Sequence, residues 1–192
     1  YAGSIYIDRD PRVVFRAAAR VVRETGIGPE RFGIDFIGHA EAFGGAPLGA
    51  LAEAEGIGGY VTVHPRRPRG EALRMLAGAS VLLSLPQGVE LAIPSKLFEY
   101  VQFPAWVLAM AAPGSATERL LRGTGADGVA PGDEEGLAHA LRTRLAQWTA
   151  GERPRPRNAD GRFSRRRQAE LLFDAIQARA GAPDAVRHGR AA

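Results

Sequence analysis

The one lysine of this chain, Lys96, stands in the stretch IPSKLFEY three residues before Glu99, and every other member of its 25 Lys+Arg residues is arginine. A lysine ammonium is a compact point charge on a flexible stem, a different instrument from the planar arginine fork, and it suits a phosphate group. Glu99 offers a carboxylate that only accepts hydrogen bonds, which suits two vicinal hydroxyls such as those of a ribose. At about 100° per residue, Lys96, Glu99 and Gln102 share one polar arc of a helix, while Leu97, Phe98 and Val101 face the other way. Ser95 is placed to N-cap that helix, whose first turn would aim backbone N–H groups and partial positive charge at an anion. A cation in the first turn opposes the helix dipole, so a bound anion would account for it. The plainer alternative is an i,i+3 salt bridge between Lys96 and Glu99, worth about 0.2–0.5 kcal/mol.

Other reactive residue types give no comparable pattern. There is no cysteine, hence no disulfide framework and no thiolate ligand or nucleophile. His39 and His64 have no partner at metal-ligand spacing, and no Ser-His-Asp arrangement is legible. Arg66, Arg67 and Arg69 lie in a Pro-rich loop and read as a solvated segment with a second possible use at a phosphate. Asp133, Glu134 and Glu135 read as the acidic start of a helix, and Trp106 and Trp148 as packing residues.

The elements that must position Lys96 and Glu99 alternate along the chain. YAGSIY reads as the end of a strand followed by a glycine turn. PRVVFRAAARVVRETG reads as a helix, with Pro11 near its start and Gly26 just past its end. Strands are expected at RFGIDFIG, GGYVTVH, SVLLSLP, AWVLAMA and DGVAP. Helices are expected at APLGALAEAEG, RGEALRMLAGA, SKLFEYVQ, GSATERLLRGTG, DEEGLAHALRTRLAQWTA and RFSRRRQAELLFDAIQARA. Six strands alternating with helices predict an α/β fold, a doubly wound, Rossmann-like parallel sheet covered on both faces. In the strand order 3-2-1-4-5-6, the loops after the first and fourth strands face each other across the ligand crevice. Arg9, Lys96 and Glu99 would then converge.

Length and charge set the organisation. The 192 residues with 45% hydrophobic content suit one main core, expected over residues 1–150. A Pro/Arg linker is expected over 151–163, a C-terminal helix packing on the domain over 164–180, and a disordered tail over 181–192. The net charge of +4 resides in the tail, since the first 150 residues are close to neutral. That argues against nucleic acid as a partner of the globular part, although the arginine-rich arm could meet a polyanion. The chain opens almost inside a central strand, so a fragment of a longer polypeptide is expected. No apolar run reaches the roughly 18 residues of a membrane span, and the opening residues YAGSIYIDRDP have neither the basic n-region nor the long apolar stretch of a secretory signal. A cytoplasmic location is expected.

YAGSIY, RDP with its helix, FIG, YVTVHPRRPRGEALRMLAGASVLLSLP, IPSKLFEYVQFPAWVLAM and GVAPGDEEGLAHAL together resemble the C-terminal, donor-binding half of retaining glycosyltransferases of the two-domain GT-B architecture, glycosyltransferase family 4 and its relatives. The resemblance runs from Tyr1 to about Gln177. Its most specific piece is PSKLFEY followed by PAWVLAM.

The resemblance implies a nucleoside diphosphate sugar as donor, transfer with anomeric retention, no essential metal, and a role in carbohydrate biosynthesis. It implies an acceptor-binding N-terminal domain outside this chain, little activity for this chain alone, and a full protein able to associate peripherally with a membrane. Glu99 matches the second glutamate of the family's paired-glutamate element, which receives the nucleotide ribose. The first glutamate falls at Leu91. Either Glu90 replaces it, or backbone N–H groups of Gly88, Val89, Glu90 and Leu91 contact the sugar. Ser4 follows Gly3 where the family carries arginine, so Arg9 and Lys96 are the expected diphosphate contacts, with Ser95 beside them. Val63, His64 and Pro65 match the segment around the nucleobase. The departures at Leu91 and Ser4 leave a second reading, a non-catalytic nucleotide-binding or structural partner module.

Overall fold

The computed structural model describes residues 1–5, 9–86, 90–155 and 161–180. The chain divides into two compact units, Tyr1–Arg157 and Asn158–Ala192. The first begins with the extended segment at Tyr1 and Ala2. It continues through α1 (Arg12–Thr25), β1 (Ile34–Ile37), the hairpin strands β2 (Ala42–Phe43) and β3 (Ala46–Pro47), α2 (Leu48–Ala54), a 3₁₀ turn (Gly58–Tyr60) and β4 (Val61–His64). Then come α3 (Arg69–Gly78), β5 (Val81–Ser84), α4 (Lys96–Tyr100), β6 (Trp106–Met110), α5 (Ala116–Leu121), β7 (Asp127–Val129) and α6 (Glu134–Thr149). The described part of the second unit holds α7 (Arg165–Ala180), whose large apolar side chains Leu171, Leu172, Phe173 and Ile176 are exposed. Among the described residues no helix is long and apolar enough to cross a membrane.

The strands form two parallel groups. In one, β4 pairs with β1, with Ile37 opposite His64, and Ala2 bridges to Ile37 on the other side. In the other, the order is β5-β6-β7. Five of the six expected strands are present, with neighbours in the anticipated order within each group, whereas the first, expected at YAGSIY, is a single bridge from Ala2 to Ile37. The β2–β3 hairpin was not anticipated, because its two-residue strands are too short to carry an alternating pattern.

Sequence explains the helices that hold this sheet. α1 starts at Pro11 and ends where Gly26 adopts φ 65°, a left-handed C-cap that glycine reaches without strain. It buries Val14, Phe15, Ala17, Ala18 and Val21, and the Phe15 ring meets Phe36 of β1 edge-on at 5.8 Å. α6 is capped by Asp133, which accepts from the Gly136 N–H, and buries Leu137 and Ala138. All five residues of β6 are buried, as befits a parallel strand covered on both faces.

Candidate functional site

The site is built where the chain turns back after its first residues. The segment lies along β1 through a parallel ladder: Tyr1 N to Asp35 O at 2.8 Å, Ile37 N to Tyr1 O at 2.9 Å, and Gly3 N to Ile37 O at 2.8 Å. Gly3 sits at φ 128° and Gly38, just past β1, at φ 119°. A Cβ on Gly38 would come within 2.7 Å of the Gly3 carbonyl oxygen, so the two turns approach as closely as backbone allows.

Lys96 reaches this turn from α4. Its Nζ stands 3.6 Å from the centroid of the Tyr1 ring, a cation–π contact, and a Cβ on Gly3 would lie 3.1 Å from it. Burial pulls the ammonium down to about 7, and the charge of Arg9 adds to the effect. Arg9 Nη1 donates to the Ser4 carbonyl at 2.9 Å and to the Tyr1 hydroxyl at 3.5 Å, and that hydroxyl itself donates to the Ser4 carbonyl at 2.6 Å. Two cations thus meet beside Gly3 and Ser4, and among the described residues Lys96 forms no salt bridge. Like charges brought together out of water favour an anion between them.

Four further residues hold this arrangement: Tyr1, Tyr100 and Gly38, which sequence reasoning left out, and Arg69, which it read as part of a solvated loop with a second possible use at a phosphate. Tyr1 supplies the face on which the ammonium rests. Tyr100, fully buried, accepts the Ala2 N–H at 2.9 Å, and burial pushes its phenol above the ordinary range. Gly38 clears the turn. Arg69 Nη2, at the start of α3, donates to Glu99 Oε1 at 2.6 Å. The signal for Tyr100 was present, as an aromatic residue four positions after Lys96. For Tyr1, Gly38 and Arg69, only the tertiary fold reveals the partner.

The Lys96–Glu99 salt bridge is not formed, because Lys96 turns to Tyr1 and Glu99 turns to Arg69. Nor does Ser95 cap α4. Its backbone is already helical at φ −55° and ψ −30°, and its side chain makes no cap bond, since a capping hydroxyl needs an extended backbone. With five residues, α4 has too little dipole to be the source of an anion site. Ser95 is exposed.

The remaining candidates lie around the same edge of the sheet or beyond it. Val63 and His64 end β4, with Pro65 exposed after them, and His64 Nε2 is 2.6 Å from Asp35 Oδ1. The Glu90 carbonyl accepts the Ala116 N–H at 2.8 Å, and Thr117 Oγ1 donates to the Ala92 carbonyl at 3.1 Å, so this loop is tied to the start of α5. Leu91 is 79% exposed. Gly88 and Val89 lie outside the described residues. Among the described residues, no hydrogen bond or ion pair joins Glu90 to Lys96 or Glu99.

No protein-family model matches this chain, and no curated protein sequence matches it. Solved structures do. The catalytic domain of cholesterol-alpha-glucosyltransferase from Helicobacter pylori aligns with a TM-score of 0.56 at 16% identity, over 93% of this chain and 96% of that one. Alpha,alpha-trehalose 6-phosphate synthase from Burkholderia multivorans aligns with a TM-score of 0.58 at 18% identity over 100% of this chain, which spans 44% of that protein's length. At these identities the likeness is one of fold, and in fold the chain is a GT-B glycosyltransferase-like, Rossmann-like α/β domain.

Proposed function

We propose that the chain binds the donor of a retaining glycosyltransferase, a nucleoside diphosphate sugar, and that an acceptor-binding domain outside it completes the enzyme. The observation that carries this reading is the pair of cations, Lys96 and Arg9, gathered against Gly3 and the Tyr1 ring. A diphosphate leaving group gains negative charge as the glycosidic bond breaks. Cations fixed in a partly dry site stabilise that charge without reorganising. Lys96 is the stronger candidate for this contact, because an arriving anion offsets the cost of burying its charge. Glu99 receives the ribose hydroxyls once Arg69 releases it, and Arg69 is free to follow the phosphates because it is 74% exposed. Val63, His64 and Pro65 border the base. Glu90, or the neighbouring backbone N–H groups, contact the sugar. No step in this scheme requires a metal.

The exposed leucine at position 91 favours the second reading, a non-catalytic nucleotide-binding module, because a sugar-directed carboxylate is missing there. Calorimetric titration with UDP, GDP and ADP tests nucleotide binding itself. Lys96→Ala is expected to weaken the tightest of them by about 1.5–3 kcal/mol, roughly tenfold to 150-fold in Kd. Unchanged affinity would refute the site. In the full-length protein, loss of sugar transfer in Glu99→Gln separates the enzyme from the module, in which transfer is absent from the start.

A further inference from the structure

Glu99 is held by a side chain from another helix, and that side chain is the less anchored of the two. Arg69 Nη2 donates to Glu99 Oε1 at 2.6 Å, and among the described residues no other hydrogen bond or salt bridge reaches the carboxylate. α4 is fixed where it stands, because its Leu97 and Tyr100 are fully buried and the Tyr100 hydroxyl accepts the Ala2 N–H. Arg69 has no such anchor, since its side chain is 74% exposed.

Arg69 also stands in an unfavourable place. It is the first residue of α3, which Pro68 opens without a side-chain cap, and a cation in the first turn of a helix opposes its dipole. The neighbouring Arg67 turns to Glu71 of the same helix at 3.8 Å, whereas Arg69 crosses to α4. This crossing bears directly on a nucleotide. The carboxylate suited to two ribose hydroxyls already carries a charged donor, so a ribose must displace a guanidinium. Lys96 stands three residues before Glu99 on α4, a spacing that puts Cβ atoms about 5–6 Å apart. A guanidinium leaving Glu99 therefore travels about that far to meet a phosphate on Lys96.

We propose that Arg69 is a specificity-determining residue of this site: it covers the Glu99 carboxylate while no phosphate is bound and passes to the phosphates when they arrive, so that ribose and diphosphate are recognised together. The inference rests on the reading of the site as one for a nucleoside diphosphate. A nucleoside displaces Arg69 from Glu99 and leaves it only water as a partner. A nucleoside diphosphate displaces it and brings the new partner along, phosphate oxygens that the planar guanidinium meets through two N–H groups. Preference for the diphosphate over the nucleoside thus exceeds what Lys96 and Arg9 confer by their own contacts. The coupling is reciprocal, because a bound phosphate raises the affinity for ribose by the factor by which ribose raises the affinity for phosphate.

The test titrates two ligands by NMR: whichever of UDP, GDP and ADP binds tightest, and the nucleoside of the same base. Each is added to the unaltered chain, to Arg69→Met, to Glu99→Gln and to the double variant. Arg69→Met is expected to tighten nucleoside binding about two- to fivefold, the size of an exposed ion pair, and to weaken diphosphate binding by about the same factor. The ratio of the two Kd values then falls on the order of tenfold. In the Glu99→Gln background the same substitution is expected to leave nucleoside binding unchanged, since no carboxylate remains to uncover. Opposite effects on the two ligands set this role apart from a structural one, which would weaken both. Both weakened alike, nucleoside affinity unchanged in Arg69→Met, no nucleoside binding to either chain, or a gain that persists beside Glu99→Gln would each overturn the proposal. If the unaltered chain binds none of the three diphosphates, the nucleotide reading falls and this inference with it. If it binds one through Lys96 but the Kd ratio survives in Arg69→Met, only this inference falls.

Discussion

If Lys96 receives a diphosphate, nucleotide binding must carry a proton with it. In the free domain the ammonium is held at about 7 by burial and by Arg9. At pH 8 it is therefore only about one-tenth protonated. A bound diphosphate supplies the missing counter-charge and returns the group toward its ordinary value near 10.4, at which it is fully protonated at pH 8. Each nucleotide bound at pH 8 is thus expected to take up about 0.9 proton, read as the slope of calorimetric enthalpy against buffer ionisation enthalpy. The sign follows from which state holds more protons. Well below pH 7 Lys96 is charged in both states and adds no pH dependence to affinity; from pH 7 to 9 only the complex stays charged, and Kd rises about fiftyfold. The same shift acts on folding with its own sign. The unfolded chain keeps its proton up to about 10.4, so the domain without ligand gains stability as pH rises from about 7 toward 10. Lys96→Met should abolish both dependences. Proton uptake near zero at pH 8, with Kd constant from pH 7 to 9, would refute the assignment of Lys96 to the diphosphate.

Two further outcomes follow from packing. Gly38→Ala places a methyl group 2.7 Å from the Gly3 carbonyl oxygen at φ 119°, so it should cost about 1–3 kcal/mol in urea unfolding. A change below about 0.5 kcal/mol would mean the turns are not locked. Arg144 holds Asp127 through two bonds of 2.6 and 2.7 Å, with side chains only 15% and 21% exposed, and its guanidinium stands 5.5 Å over Trp106. Arg144→Ala should cost about 3–5 kcal/mol in the same assay, with Arg144→Lys recovering only part.

Periodicity and punctuation made the fold legible. α1 could be bounded because Pro11 and Gly26 bracket a run of apolar residues at helical spacing. The fully apolar β6 could be read as a central strand because nothing polar interrupts it. The site was legible in composition more than in geometry. A solitary lysine drew attention to position 96, but the choice between Glu99 and Tyr1 as its partner depends on tertiary structure, and local spacing favoured the wrong one. Ser95 illustrates the same limit, since its residue type suits a cap and its backbone does not. The Arg69–Glu99 contact joins residues of separate helices, and no pattern within either helix contains it.

The two strand groups differ in how they are assembled from the chain. Within each, neighbouring strands are joined by a single crossover, so closing them costs little loop entropy. Across the divide, the bond from Ala2 to Tyr100 joins residues 98 positions apart in the chain. Such distant closures weigh most heavily on folding rate. The cation pair lies at this junction, so a ligand held there reports on the union of the two strand groups.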